Sequence, residues 1–160
     1  MLAVSDNDEA EVLARHLALA AGLPATSESG EQAIIQALTG LGVDVAGLAV
    51  LDGSGLARGS AVPPEVLTAT LRVAAGSTHP RLRPVLTGLP VAGFTGTLDE
   101  RFDSPAATDG VGLIRAKTGS LTGVSSLAGT VTYTSWSTPT GTMPRSPFQI
   151  AGFASTSPRR

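Results

Sequence analysis

The sequence predicts an α+β fold in which helices flank an antiparallel sheet. Three segments of the first half carry apolar residues at helical spacing, and the second half carries apolar runs separated by a short glycine-containing turn. A chain of 160 residues with 42% apolar residues supplies the core of one domain. Because aromatic residues make up only 4%, that core must consist of alanine, valine and leucine.

Three helices are predicted before residue 76. The first follows the polar run 5–8 and ends at Gly22, the second spans 30–41, and the third opens at the proline pair 63–64 and ends before Gly76. The stretch 24–29 between the first two is predicted to be a loop.

The polar residues of the first helix have a purely structural interpretation. Ser5 and Asn7 are typical N-capping residues, so capping alone would explain them. His16 is expected to be a packing or surface residue, since no second His, Asp or Glu stands at metal-ligand spacing from it.

The middle of the chain is predicted to be a strand followed by irregular structure. Residues 43–51 are the predicted strand, and Asp52-Gly53-Ser54-Gly55-Leu56 then breaks it as a structural turn. A phosphate-binding loop is less favoured there because no Walker lysine follows. Residues 77–102 are rich in proline and glycine, with single helical turns predicted near 82–86 and 98–102, and such long irregular stretches often line a site.

The second half is predicted to be a three-stranded antiparallel meander. A hairpin carries Lys117, the only lysine of the chain, near the end of its first strand. The third strand is predicted at 148–154, after a polar loop with three prolines, and residues 155–160 are predicted to be a fraying tail.

Composition excludes several functional classes. The net charge of −2 without an internal basic run argues against nucleic acid, and the absence of cysteine excludes disulfides and thiolate chemistry. No residues are expected to bind a metal, a nucleotide or any other cofactor. No apolar run is long enough for a membrane span, and the first residues lack the features of a signal peptide.

Three short motifs together resemble a known enzyme family. Ser5-Asp6-Asn7, the Asp52–Leu56 turn and Lys117-Thr118-Gly119 stand in the order found in the penicillin-recognising serine hydrolases. The segment from Leu89 to Phe102 and the run 115–129 make the D-alanyl-D-alanine carboxypeptidase/endopeptidase group of low-molecular-mass penicillin-binding proteins the best match. The resemblance extends from residue 1 to about residue 134.

The resemblance implies catalytic roles for three residues. In such enzymes a serine attacks the peptide bond between the two terminal D-alanines of a peptidoglycan stem peptide, and water or an amine resolves the acyl-enzyme. Ser5 would relay protons to the leaving amine, and Asn7 would hold the substrate amide. Lys117 would anchor this network and attract an anionic substrate.

The resemblance also implies a substrate-binding role for the residues after the lysine. Thr118 and Ser120 would bind the terminal carboxylate through their hydroxyls. Gly119 would let the substrate backbone lie against the strand. The N–H of Ser120 would form half of an oxyanion hole.

The chain departs from the family pattern at the nucleophile. A Ser-x-x-Lys motif needs a serine three residues before a lysine, and Ile114 stands at that position before Lys117. We therefore expect residues 1–160 to be the C-terminal part of a penicillin-binding domain, and to be inactive alone. The resemblance implies an α/β sandwich of the penicillin-binding transpeptidase/β-lactamase type, whose sheet would be incomplete at the N-terminus. The parent enzyme is expected to act outside the cytoplasm, on stem peptides ending in D-Ala-D-Ala, and to bind β-lactams.

Three alternatives remain open from the sequence. A β-lactamase fragment would share Ser-Asp-Asn and Lys-Thr-Gly but explains the segments 52–56 and 89–102 less well. A non-catalytic module could bind stem peptides without a nucleophile. An α+β domain with coincidental tripeptides is the third alternative.

Overall fold

The computed structural model describes residues 1–132 and the backbone of residues 153–157. Its helices are α1 (Asn7–Ala20), α2 (Ser27–Gly40), α3 (Pro64–Ala75) and α4 (Arg83–Thr87), and its strands are β1 (Ile114–Leu121), β2 (Val124–Val131) and β3 (Phe153–Ser157). Three short 3₁₀ turns lie at Pro80–Leu82, Gly96–Leu98 and Thr108–Gly110. The strands form one antiparallel sheet in the order β1-β2-β3. The predicted α+β class and the meander are therefore confirmed.

The helix boundaries follow from the capping residues. Helix α1 begins after Asp6, whose carboxylate accepts the N–H of Glu9 at 2.9 Å. The interpretation of Ser5 and Asn7 as caps is therefore wrong. Helix α2 begins three residues earlier than predicted, because the hydroxyl of Thr26 caps it by accepting the N–H of Ser29.

The strand predicted at 43–51 does not form. The carboxylate of Asp44 accepts the N–H of Ala46 at 3.0 Å, and Gly47 has a φ of +76°, so a turn stands where an extended segment was expected. Ala49 alone makes a β-bridge, with Ala61. Local side-chain hydrogen bonding has outweighed the apolar pattern of this segment.

The third strand lies further along the chain than predicted. Strand β3 spans Phe153–Ser157 and pairs with β2, whereas the prediction placed the strand at 148–154 and a tail from 155 onward. The prediction of a tail is wrong for residues 155–157. Residues 148–152 and the predicted polar loop before them lie outside the described residues.

The buried apolar core of the described part consists of alanine, valine and leucine, as predicted. Helix α3 packs against β2 and β3. Helices α1 and α2 pack on each other through Ala14 and Gly30, where a Cβ on the glycine would lie 3.2 Å from that of the alanine. A Cβ on Gly53 would lie 2.7 Å from the same alanine. The core residues are Ala14, Ala18, Ala33, Val43, Val66, Leu71, Ala74, Leu89, Ala92, Leu98 and Ala116.

Candidate active site

The candidate site lies on strand β1 of the hairpin. Thr122 and Gly123 form its two-residue turn, in which Gly123 has a φ of +81°. Lys117 is the fourth of the eight residues of β1 and pairs with Ala128, so it lies in the middle of the strand. The prediction that it stands near the strand end is wrong, because the strand continues through the Lys-Thr-Gly motif to Leu121.

Lys117 connects two of the three sequence motifs, its own Lys-Thr-Gly and the Ser-Asp-Asn that begins at Ser5. Its Nζ donates to the Oγ of Ser5 at 2.7 Å and to the carbonyl oxygen of Thr118 at 2.6 Å. Burial lowers the pKa of this ammonium, because the charged form loses hydration. Among residues 1–132, no carboxylate lies within ion-pair distance to oppose that effect. The site therefore holds a half-buried amine that gives up its proton more readily than an ordinary lysine.

Ser5 is held in an unusual backbone conformation. Its φ is +58°, in the left-handed region that disfavours residues with a Cβ. The segment before it is fixed by two hydrogen bonds, from the N–H of Thr97 to the carbonyl of Ala3 at 3.1 Å and from the N–H of Asp6 to the carbonyl of Met1 at 3.2 Å. Tertiary contacts therefore place the Ser5 hydroxyl at the lysine.

Among the residues that the structure describes, none pairs with part of one edge of β1. The N–H of Ala116 donates to the carbonyl of Pro90, and the N–H of Ala92 donates to the carbonyl of Ile114. The backbone N–H and C=O groups of the even-numbered residues of β1 therefore point away from β2. The same alternation directs the N–H groups of Thr118 and Ser120 to that side, beyond the end of the paired segment. Ser120 is exposed. The N–H of Ser120 is therefore a hydrogen-bond donor at an exposed position of this strand edge.

The remaining predicted site residues differ in their surroundings. The Thr118 side chain is only 8% exposed, and its hydroxyl donates to that of Thr97 at 3.0 Å. At Gly119 a Cβ would overlap the Oγ of Ser126, so the packing of the hairpin already requires glycine there. Asn7 is exposed in the first turn of α1, and among the described residues its carboxamide has no hydrogen-bond partner.

The turn after residue 51 is stabilised by one carboxylate. Burial opposes ionisation of Asp52, but hydrogen bonds from Ala57, Ser54, Leu56 and Gly55 outweigh it, and the pKa of the carboxyl is lowered. These donors lie between 2.7 and 3.0 Å from its oxygens. The interpretation of this segment as a structural turn agrees with the geometry, because its carboxylate and N–H groups satisfy each other.

Sequence reasoning missed one contributor to the site. Thr97 touches both halves of it, through the carbonyl of Ala3 and the hydroxyl of Thr118. The Gly96-Thr97-Leu98 segment formed part of the family resemblance, but its residue types did not indicate a role for Thr97 in the site. His16, by contrast, is exposed on α1 and lies outside the site.

The fold is that of a penicillin-binding type of serine peptidase domain, as comparison with solved structures indicates. Penicillin binding protein 4 (dacB) from Haemophilus influenzae, in complex with a novel β-lactam, superimposes with a TM-score of 0.76 at 28% identity, covering 98% of this chain and 33% of that one. The same protein in a second crystal structure gives a TM-score of 0.71.

The D-Ala-D-Ala carboxypeptidase 3 (S13) family matches residues 1–142, and the chain belongs to this family. Carboxypeptidase DacB of Mycolicibacterium smegmatis is 42% identical over 133 residues, which are 82% of this chain and 29% of that protein. The D-alanyl-D-alanine carboxypeptidase of an Actinomadura species is 38% identical over 132 residues, 79% of this chain and 24% of that protein. The chain therefore spans about a third or less of the length of its relatives. Within the described residues, no helix combines the length and apolar character needed to cross a bilayer.

Proposed function

We propose that residues 1–160 are part of the penicillin-binding domain of a serine-type D-Ala-D-Ala carboxypeptidase or endopeptidase that cleaves peptidoglycan stem peptides outside the cytoplasm. The observation that carries the proposal is the 2.7 Å hydrogen bond between Lys117 and Ser5. It joins residues 112 positions apart beside an open strand edge, which is the arrangement that the resemblance requires. Family membership supports the same activity.

The contacts of Ser5 suit a proton relay. Its Oγ accepts an N–H from Lys117, which leaves its own O–H free to donate. When the peptide C–N bond breaks, the leaving D-alanine amine needs a proton, and Ser5 would supply it and be reprotonated from the ammonium. The lowered pKa of Lys117 makes this transfer easier than from an ordinary lysine.

The strand edge suits an extended peptide. The N–H of Ser120 would stabilise the oxyanion, and the exposed Ser120 hydroxyl, with that of Thr118, would bind the terminal carboxylate. Asn7 would hold the substrate amide from the other side, since its carboxamide is exposed. Because the Thr118 hydroxyl is buried against Thr97, it would have to rotate to reach the substrate.

The nucleophile would come from a Ser-x-x-Lys motif elsewhere in a longer polypeptide. This chain contains one lysine, and Ile114 stands three residues before it, so the acyl-enzyme cannot form on such a motif here. We therefore propose that the isolated chain binds the peptide without cleaving it. The second candidate function is a non-catalytic module that binds the stem peptide without a nucleophile.

Intact-mass analysis after incubation with excess penicillin tests this proposal. We expect no change in mass for the isolated chain, and weak reversible binding of a peptide ending in D-Ala-D-Ala by NMR titration. Asn7→Ala should weaken that binding, whereas Ser77→Ala, at an exposed position outside the site, should not. A stable adduct would show that a serine of this chain is the nucleophile, and the relay role of Ser5 would have to be abandoned.

A polypeptide that contains this chain and a Ser-x-x-Lys motif would distinguish the enzymatic alternatives. A D,D-peptidase should acylate with penicillin and release it slowly. Rapid release of hydrolysed penicillin would instead identify a β-lactamase.

A further inference from the structure

The segment Pro90–Leu98, here called the bridge segment, connects the two halves of the site. Its first residues pair with β1, where the carbonyl of Pro90 accepts the N–H of Ala116 at 3.0 Å. Its last residues reach the stretch before Ser5, where the N–H of Thr97 donates to the carbonyl of Ala3 at 3.1 Å. One short segment therefore contacts both the strand of Lys117 and the turn of Ser5.

The bridge segment is closed on itself by local contacts. The N–H of Gly93 donates to the carbonyl of Leu98 at 2.9 Å, and the N–H of Val91 donates to the hydroxyl of Thr95 at 2.9 Å. Leu98 is fully buried. At Gly96, whose φ is +59°, a Cβ would overlap the carbonyl oxygen of Ala3. This fit lets the bridge segment approach the stretch before Ser5 closely.

Thr97 closes a ring of contacts around the site. Its N–H holds Ala3, two residues before Ser5, and its hydroxyl receives the 3.0 Å hydrogen bond from Thr118, the residue after Lys117. The hydrogen bond from Lys117 to Ser5 completes the ring. We propose that Thr97 is a positioning residue that keeps Ser5 and Lys117 at hydrogen-bonding distance, an inference that rests on the function proposed for those two residues.

The need for such a residue follows from the two groups that it positions. Ser5 has a left-handed backbone that persists only where surrounding contacts hold it, and Lys117 carries its charge on a flexible four-carbon side chain. Removing the Thr97 hydroxyl leaves the buried Thr118 hydroxyl without its acceptor. Strand β1 can then shift, and water gains access to the ammonium.

The titration of Lys117 tests this role directly. Lys117 is the only lysine, so the chain labelled with ¹³C at lysine Cε gives a single side-chain resonance. We expect Thr97→Val to raise the pKa of Lys117 toward that of an ordinary lysine, and Thr97→Ser, which restores the hydroxyl, to leave it at the native value. Thr70→Val is the matched control, because it removes a 2.7 Å hydroxyl bond on α3 away from the site.

Each outcome bears on the inference. An unchanged Lys117 titration in a folded Thr97→Val variant would overturn it, even if the variant melts at a lower temperature as the control does. Should that variant fail to fold, Thr118→Val removes the same hydrogen bond from the donor side and must produce the same rise. A rise in the Lys117 pKa together with a native chain that binds no D-Ala-D-Ala peptide would support the positioning role while refuting the proposed function.

Discussion

Replacing Asp52 by asparagine is expected to destabilise the chain, in a way that depends on pH. Oδ2 of Asp52 accepts hydrogen bonds from Leu56 at 2.7 Å and from Ser54 and Ala57 at 2.9 Å. Oδ1 accepts the N–H of Gly55 at 3.0 Å. Asparagine keeps one oxygen and turns the other position into a donor, so at least one N–H must lose its acceptor.

The size of the effect follows from those contacts. A hydrogen bond to a charged group contributes about 1.5–3 kcal/mol, and the site is partly exposed, so we expect a loss of about 2 kcal/mol. In a chain of this length that corresponds to a fall in Tm of about 4–8 °C. Because the pKa of Asp52 is lowered in the folded state, its stabilisation is present above the unfolded value of about 3.9 and is lost as the pH falls through the folded value.

Urea unfolding followed by circular dichroism at pH 7 and at pH 3 measures this effect. The loss of unfolding free energy caused by Asp52→Asn should be full at pH 7 and smaller at pH 3, where the carboxylate of the native chain begins to protonate. Asp44→Asn is the matched control, since its carboxylate is exposed and, within the described residues, accepts a single hydrogen bond, from the N–H of Ala46. This substitution should lower the free energy of unfolding by less than about 1 kcal/mol. Equal losses in the two variants at pH 7, or a deficit that is the same at both pH values, would refute the reasoning.

Three further predictions concern the sheet and its surroundings. Gly129→Ala should cost about 1–3 kcal/mol or more in urea unfolding, because a Cβ there would overlap the carbonyl oxygen of Arg115, whereas Gly40→Ala, with open space around it, should be neutral or stabilising. Leu98→Ala should cost about 2–5 kcal/mol by the same assay, since the side chain is fully buried, and a loss below 1 kcal/mol would contradict the packing. Because the pKa of Lys117 is lowered in the folded state, the unfolded chain binds more protons at any pH between the folded and unfolded pKa values. The free energy of unfolding should therefore rise with pH in that window. Urea unfolding between pH 8 and about 10.4 should show this rise for the native chain and not for Lys117→Met.

The helices and the hairpin could be predicted because local residues specify them. Pro64 opens α3 and Gly76 follows its end, and a two-residue turn containing Gly123 joins β1 to β2. The strand predicted at 43–51 failed because the Asp44 side chain competes with extended backbone. Apolar content alone did not reveal that competition.

The residues of the candidate site were predicted from the motif resemblance. The contacts between those residues could not be predicted from the sequence. The contact between Ser5 and Lys117 spans 112 positions, and no local spacing rule brings such residues together. The part played by Thr97 depends on a backbone N–H and a hydroxyl that point in different directions, which only the fold determines. The catalytic and substrate-binding roles proposed for the six site residues stay predictions that the experiments above can test.

Two glycines lie close to the methyl group of Ala14, so this one side chain sets how closely both glycine-containing elements can approach α1. Gly30 on α2 and Gly53 beside Asp52 both face it, on separate elements that share no sequence neighbourhood. A larger side chain at position 14 would have to push both elements away at once, and neither glycine has a side chain that could move aside. Directed-evolution libraries of this helix should therefore accept only alanine or glycine at position 14, while tolerating wide variation at its exposed neighbours Leu13 and Arg15.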